Sequence, residues 1–209
     1  MLQRITEYFQ PYATGHSHHD DWLSNQAAVL VPLTRDFAEP SVILTKRSEL
    51  LNSHRGQVAF PGGKRDQEDH NLLATALRET HEEIGLEADQ IEVIARWPSQ
   101  TTRFNMDVTP FVGLVSPEAE LQANPDELDA VFQVPLSYFL DQSNITTDQF
   151  VGADYNLTMP CYIYHGFRIW GFTLGVLVDV LNKALGAGIQ LAYPDFSVTA
   201  QQVKMNQRQ

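Results

Sequence analysis

Hydrophobic residues alternate with polar ones, or form short apolar runs, in six segments that we predict to be strands. These segments are 27–33, 41–47, 91–97, 107–115, 148–156 and 161–169. The first two lie close enough in sequence to form a hairpin. Proline donates no hydrogen bond to a strand ladder, so Pro110 predicts an edge strand or a bulge, and Pro160 separates the last two segments.

Helices are predicted in four other segments, namely 1–11, 71–84, 136–140 and 169–185. In the segment 71–84 one face carries Leu73, Ala76, Leu77, Thr80 and Ile84, and Gly85 follows where a helix stop is expected. The buried face of the last helix is predicted to hold Trp170, Leu174, Leu177, Val178, Leu181 and Leu185. Gly186 and Gly188 end that helix. Strands and helices interleave without a repeated strand–helix–strand rhythm, which indicates an α/β fold with a mixed sheet between helices.

The length and composition of the chain suit one globular domain. It has 209 residues, 43% of them hydrophobic, with neither an internal repeat nor a linker-like stretch. We predict a single domain over 1–209, with a helix and loop at 1–26 and a polar tail at 200–209. The N-terminal helix packs either on this domain or on a second subunit, so a homodimer is an open alternative.

The net charge and the cysteine count limit which binding partners and which cellular compartment we predict for this protein. A net charge of −12 with no run of Lys or Arg argues against nucleic acid as a partner. The one cysteine, Cys161, allows no internal disulfide, and the N-terminus lacks the apolar core of a signal peptide, so we predict a cytoplasmic protein. The most apolar stretch, 169–181, is too short to cross a bilayer, and we predict no membrane association.

Three carboxylates lie together on the predicted helix 71–84. At about 100° per residue, Glu79, Glu82 and Glu83 share one arc of the helix surface. Like charges at these spacings cost roughly 0.2–0.5 kcal/mol per pair, a cost that a bound divalent cation offsets. Mg²⁺ prefers oxygen ligands of this kind. The carboxylates alone also fit a solvated acidic face.

The residues that precede and include these acids resemble the signature of the Nudix hydrolases. Gly62 and Gly63 follow an apolar run and indicate a tight strand-to-loop turn with close backbone approach. The stretch 78–86, Arg-Glu-Thr-His-Glu-Glu-Ile-Gly-Leu, matches the second half of the signature. In the first half of the signature, Asp69 occupies the position of the acidic residue. The chain has one residue more than the signature between this acid and Arg78. The resemblance implies an α/β/α sandwich with a mixed sheet.

A second motif resembles the coenzyme A pyrophosphatase branch of that family. It comprises Leu-Thr-Lys-Arg-Ser at 44–48 and Gly-Gln-Val-Ala-Phe-Pro-Gly-Gly at 56–63. At one position the chain departs from it, since Asn52 replaces an Arg that would grip phosphate in a bidentate manner. Arg55, three residues on, is a candidate substitute.

This resemblance implies metal-dependent hydrolysis of a pyrophosphate bond between a nucleoside diphosphate and a second group. Glu79, Glu82 and Glu83 are the expected ligands of Mg²⁺ or Mn²⁺. Substrate contacts are expected from Arg47, Arg55, Gly62 and Gly63. For coenzyme A the products would be adenosine 3',5'-bisphosphate and 4'-phosphopantetheine.

Two roles near the reacting bond are predicted separately. Arg78 is expected to pair with Asp69 or a neighbouring Glu and to hold the loop against the helix. The general base is either Glu82 or Glu127, and a turn-capping acid is the alternative for Glu127.

Two other functions stay open at this point. One is a Nudix enzyme that cleaves ADP-ribose or another nucleotide, which Asn52 favours. The other is a Nudix-fold module that binds a nucleotide without catalysis, against which the three acids argue.

Overall fold

The structure, a computed structural model, describes residues 1–12, 23, 25–51, 54–102, 105–152 and 155–194, with only the backbone of 12, 150–152 and 155–157. Asn52 and the predicted tail 200–209 lie outside the described residues. Within them the strands are β1 Gln26–Thr34, β2 Ser41–Arg47, β3 Val58–Ala59, β4 Gly62–Lys64, β5 Ile91–Arg96, β6 Gln100–Thr101, β7 Asp107–Val115, β8 Leu128–Pro135, β9 Ile145–Gly152, β10 Tyr155–Tyr164 and β11 Phe167–Trp170. The α-helices are α1 Leu2–Phe9, α2 Leu72–Ile84, α3 Leu136–Leu140 and α4 Gly171–Leu185.

The larger sheet is mixed, as predicted. Its central order is β3-β2-β1-β7-β5, with β4 paired to β1, β6 to β7 and β8 to β2. Only β1 and β7 run parallel among the described pairs, in register from Gln26 opposite Asp107 to Thr34 opposite Val115. The predicted hairpin of β1 and β2 is confirmed, because the two strands are antiparallel with Leu33 opposite Val42.

Helices cover both faces of this sheet, which confirms the α/β/α sandwich. Ala28, Leu30 and Ile43 point to the core cluster beneath α2. The residues that alternate with them, Val31, Leu33, Val42 and Leu44, point to the cluster that contains α1 and α4. Successive side chains of a strand face opposite sides of its sheet, so one set of strands supplies both cores.

The N-terminal helix packs on its own domain. Leu2, Ile5 and Phe9 are buried, and the Phe9 ring meets Trp97 edge to face with centroids 5.4 Å apart. The Arg4 Nη2 donates to the carbonyl of Leu185 at 2.7 Å, which ties α1 to the end of α4. Across the described part of the chain, no helix has both the length and the apolar character that crossing a bilayer demands.

The segments around Pro160 form three strands, where the sequence predicts two. β9, β10 and β11 make a separate antiparallel sheet, and Pro160 lies inside β10. β11 pairs with β10 only from Cys161 onward, so Pro160 needs no donor on that side. The predicted strand 161–169 turns at His165 and Gly166, where φ is 48° and 86°. Its last residues and Trp170 belong to β11, so the final helix begins at Gly171.

The prediction of an edge strand or bulge at Pro110 is wrong. β7 lies between β1 and β5, and its register irregularity with β5 occurs between Val93 and Ala95. The Pro110 carbonyl accepts from the Trp97 N–H at 2.8 Å. Trp97 lies between β5 and β6, where the hydrogen-bond ladder with β7 is interrupted. Because no regular ladder runs there, the N–H that Pro110 lacks is not required.

Candidate active site

The helix that carries the acidic cluster is capped at both ends. The Asn71 side chain accepts from the Ala74 N–H at 2.8 Å and starts α2. Gly85, with φ of 72°, ends it in the left-handed conformation, and its N–H donates to the His81 carbonyl at 2.9 Å. Both caps follow from local sequence, and they set Glu79, Glu82 and Glu83 in the last two turns.

Gly62 and Gly63 form the short strand β4 against β1, in place of the predicted strand-to-loop turn. At Gly62, φ is 151°, and a Cβ there would overlap the backbone of Ala28 and Val29. A Cβ on Gly63 would overlap the carboxylate of Glu79. The expected close approach is therefore present, and glycine at 63 leaves the space that the Glu79 carboxylate fills.

Arg78 joins three carboxylates. Its Nε and Nη2 donate to the two oxygens of Asp69, each at 3.0 Å, and its Nη1 donates to Glu79 and Glu82, also at 3.0 Å. Nη2 further donates to the Lys64 carbonyl at 3.2 Å. Burial opposes ionisation of Asp69, but the hydrogen bonds from Arg78, the Asp66 N–H and Thr75, together with the charge of Arg78, outweigh it and lower the pKa of Asp69. Arg78 thus fixes the loop 64–69 to the acidic face of α2.

Glu83 is the most buried of the three helix acids, with 3% of its side chain exposed. It accepts from the Gly62 N–H at 3.3 Å and from Arg47 Nη1 at 3.4 Å. These long contacts do not offset burial, which raises the pKa of Glu83 to about 8. Burial also raises the pKa of Glu79. The site therefore holds more buried negative charge than its protein partners balance.

Arg47 reaches the acidic cluster from the end of β2. A register shift between Lys46 and Arg47 against β8 marks a bulge, a feature that redirects side chains near active sites. In the described part of the chain, Nε of Arg47 is buried and has no hydrogen-bond partner. Arg55 is exposed, and no hydrogen bond or ion pair joins it to the acids among the described residues.

Glu127 lies near this cluster: burial is the main cause of the raised pKa of Glu79 and Glu83, and the charge of Glu127 adds to it. Its backbone is held from two sides. The Glu127 N–H donates to the Asn124 carbonyl at 3.1 Å, and its carbonyl accepts from the Ser48 N–H at 2.8 Å. Asn124 is anchored in turn, since its N–H donates to the Glu83 carbonyl at 2.9 Å.

The donor set suits a hard divalent cation. Every candidate ligand is a carboxylate or backbone oxygen, and Glu83 and Glu79 carry charge that burial disfavours. As the side chains stand, no three His, Cys, Asp or Glu residues in the described ranges converge on one ion position. Arg78 Nη1 instead holds Glu79 and Glu82. The chemistry of the cluster fits a metal, and Arg78 neutralises part of it.

Residues 24–151 match the family model of the NUDIX domain, well over half of the chain. The chain belongs to the Nudix family. It is 40% identical over 157 residues to the uncharacterized Nudix hydrolase NudL of Enterobacter sp. (strain 638), covering 74% of this chain and 80% of that protein. With the Citrobacter koseri protein of the same description it shares 38% identity over 166 residues, covering 79% and 84%.

Solved structures of Nudix proteins resemble it more distantly. A MutT/nudix family protein from Enterococcus faecalis is 14% identical, with a TM-score of 0.49 over 88% of this chain and 74% of that one. The family match and the NudL relatives identify this Nudix protein as a pyrophosphohydrolase that acts on a nucleoside diphosphate linked to a second group. Nudix hydrolases generally use divalent metal ions. The alternative of a non-catalytic module is thereby set aside.

Two residues that sequence reasoning did not single out support the cluster. Arg65 is buried within the loop that presents Asp69, and Asn124 anchors the segment that carries Glu127. Arg65 makes a side-chain contact with Gln26, 39 positions away. No local pattern signals such long-range contacts.

Proposed function

We propose that this Nudix enzyme hydrolyses coenzyme A or one of its derivatives, releasing adenosine 3',5'-bisphosphate and 4'-phosphopantetheine. The observation that carries the proposal is the position of the described parts of the motif, 44–48 and 56–63, which resemble the coenzyme A pyrophosphatase branch. Arg47 and Gly62, at either end of it, both contact the carboxylate of Glu83. The branch motif and the Nudix helix thus contribute to one site.

In this proposal the acids of α2 would bind the metal, and the backbone of the glycines in β4 would contact the phosphates. Glu79, Glu82 and Glu83 would hold Mg²⁺ or Mn²⁺, which supplies charge neutralisation and a more acidic bound water. Arg47 and the backbone at Gly62 and Gly63 would contact the phosphates, with Arg55 as an outer contact. Arg78 would position Glu79 and Glu82 without touching the substrate.

We assign the general base to Glu127 in preference to Glu82. Glu82 is held by Arg78 and its side chain is 49% exposed, whereas Glu127 directly precedes β8 and lies near enough to the buried Glu83 for its charge to add to the raised pKa of that residue. Water attacks phosphorus and the bridging P–O bond breaks. The water proton passes to Glu127, and the electron pair of the broken bond leaves with the departing phosphate.

A second candidate substrate is ADP-ribose or another dinucleotide. It is favoured by Asn52, which stands where the coenzyme A branch has an arginine and which cannot make the bidentate, charge-assisted contact. Loss of that contact would weaken the grip on a phosphate of coenzyme A. The hydrolysis of the pyrophosphate bond itself does not require it.

Product analysis separates these substrates. The protein is incubated with coenzyme A, ADP-ribose and NADH, each with Mg²⁺ and then with Mn²⁺, and products are identified by mass spectrometry. We expect the highest kcat/KM with coenzyme A and the two products named above. Faster cleavage of ADP-ribose or NADH than of coenzyme A would refute the coenzyme A assignment and leave the Nudix activity standing.

A further inference from the structure

A buried arginine, Arg65, lies beside the acidic cluster and takes no part in the proposed chemistry. It is 9% exposed. Its Nη1 donates to the side-chain oxygen of Gln26 at 2.9 Å, and its Nη2 donates to the carbonyls of Asp69 and His70, each at 3.4 Å. A buried charge is costly unless its donors are satisfied, and in the described part of the chain three neutral oxygens accept from this guanidinium.

These contacts close a tight loop between β4 and α2. The Asp66 N–H donates to Asp69 Oδ2 at 2.8 Å, and the Asp69 N–H donates to the Asp66 carbonyl at 3.2 Å. The Arg65 backbone N–H donates to the Gln26 carbonyl at 3.0 Å, so both ends of this residue are tied to the start of β1. Arg65 thereby holds the far side of the loop against the central sheet.

The loop in turn sets the geometry of the acids. Asp69 can receive Arg78 in the bidentate manner only if its carboxylate lies in the plane of the guanidinium. Arg78 then holds Glu79 and Glu82 through Nη1. A displacement of the Asp69 backbone would move Arg78 and, with it, two of the three proposed metal ligands.

We infer that Arg65 is a positioning residue for the Nudix reaction, and that it tunes metal affinity by fixing Asp69 beneath Arg78. The inference rests on the proposed metal role of Glu79 and Glu82. A planar fork of donors is needed to reach one amide oxygen and two carbonyls in different directions. A lysine keeps the charge and part of the donor capacity but not that geometry.

The test compares Arg65→Met, which keeps the length but removes the donors, with Arg65→Lys. Arg35→Met is the matched control, because Arg35 is an exposed arginine at the other end of β1. Mn²⁺ binding to metal-free protein is measured by calorimetry, and Mg²⁺ activation of hydrolysis is measured alongside it. We expect Arg65→Met to raise the Mn²⁺ Kd by about five-fold, less than the roughly 10–100-fold for a direct partner of a ligand. Arg65→Lys should recover part of this loss, and Arg35→Met should bind as the wild type does.

A second variant keeps the test decisive if Arg65→Met does not fold. Gln26→Met removes the amide oxygen that receives Arg65 Nη1 and also the Leu23 N–H, while the backbone hydrogen bond between Gln26 and Arg65 stays. We expect it to raise the Mn²⁺ Kd by about two-fold, a fraction of the cost of removing a direct partner. Wild-type Mn²⁺ affinity in the folded Arg65→Met protein, or in Gln26→Met when the former is unfolded, would overturn the inference and leave the proposed function intact. A wild-type protein that binds no Mn²⁺ would overturn both.

Discussion

The backbone N–H of Asn124 donates to the carbonyl of Glu83 at 2.9 Å, which joins the loop between β7 and β8 to the end of α2. A neighbouring bond, from the Gln122 N–H to the Ile84 carbonyl at 2.9 Å, strengthens the junction. The last carbonyls of a helix lack partners within the helix, and this loop supplies them. The same contact brings Glu127 to the buried acids.

We expect Glu127→Gln to lower kcat by about 10²-fold or more, because general-base catalysis typically contributes 10²–10⁴-fold. Glu118→Gln is the control, since Glu118 is an exposed acid earlier in the same loop and contacts only Ser116 in the described chain. If Glu127→Gln turned over at the wild-type rate, Glu127 would be a turn-capping acid and Glu82 the remaining candidate base.

Gly63→Ala should damage catalysis far more than folding. The added methyl group meets the flexible end of Glu79 rather than backbone, so the carboxylate moves and the sheet stays intact. We expect kcat to fall by about 10²-fold, the typical cost of a misplacement of about 1 Å. Thermal unfolding and kcat are measured on the same preparation.

The matched control for that substitution is Gly175→Ala in α4. There a new Cβ would lie 3.6 Å from the Tyr193 hydroxyl, an ordinary contact. Alanine favours a helix interior over glycine by roughly 0.5–1 kcal/mol, so this variant should keep full activity and gain slight stability. Full activity in Gly63→Ala would show that Glu79 need not occupy the space beside that glycine.

The pKa of Glu83 predicts how stability changes with pH in the metal-free protein. Its folded pKa of about 8 lies above the usual value for Glu, so the folded state binds the proton more tightly than the unfolded state. This contribution is fully present below about pH 4.5 and is lost as pH rises to about 8, at up to about 1.4 kcal/mol per unit. Denaturant unfolding of metal-free protein at several pH values measures the slope.

Glu83→Gln carries no titratable group at this position and should flatten that slope. At pH 8 without metal, the variant should be more stable than the wild type, because no buried charge has to be accommodated. It should also lose metal-dependent hydrolysis. An unchanged slope in Glu83→Gln would show that another group causes the pH dependence.

Arg78→Lys tests the bidentate contact with Asp69. Lysine has no planar fork and cannot bind both Asp69 oxygens while also holding Glu79 and Glu82. We expect kcat to fall by about 10–100-fold, as is typical when a partner of a metal ligand is lost. Steady-state kinetics with Mg²⁺ measures it, with Arg35→Lys as the control for replacement of an exposed arginine. Equal kcat in the Arg78→Lys and wild-type enzymes would contradict the positioning role.

Local pattern was sufficient for much of the fold. The limits of α2 follow from Asn71 and Gly85, and the buried faces of α1 and α4 follow from their apolar periodicity. The pattern failed at Pro110 and Pro160, where the outcome depends on which neighbouring strand ends beside the proline. A proline shows that one backbone N–H donor is missing. The local sequence does not show which neighbouring strand would have accepted that hydrogen bond.

By itself the sequence determined the acidic helix, the paired glycines and membership of the Nudix family, because these depend on residue types at short, constant spacings. Only the tertiary structure decided that Arg47 contacts Glu83, that Glu127 lies near it, that Gly63 leaves space for Glu79, and that Arg65 contacts the backbone of Asp69. Several of these contacts join strands and loops that are distant in sequence. Their geometry depends on strand register and on a bulge at the end of β2, which periodicity does not encode.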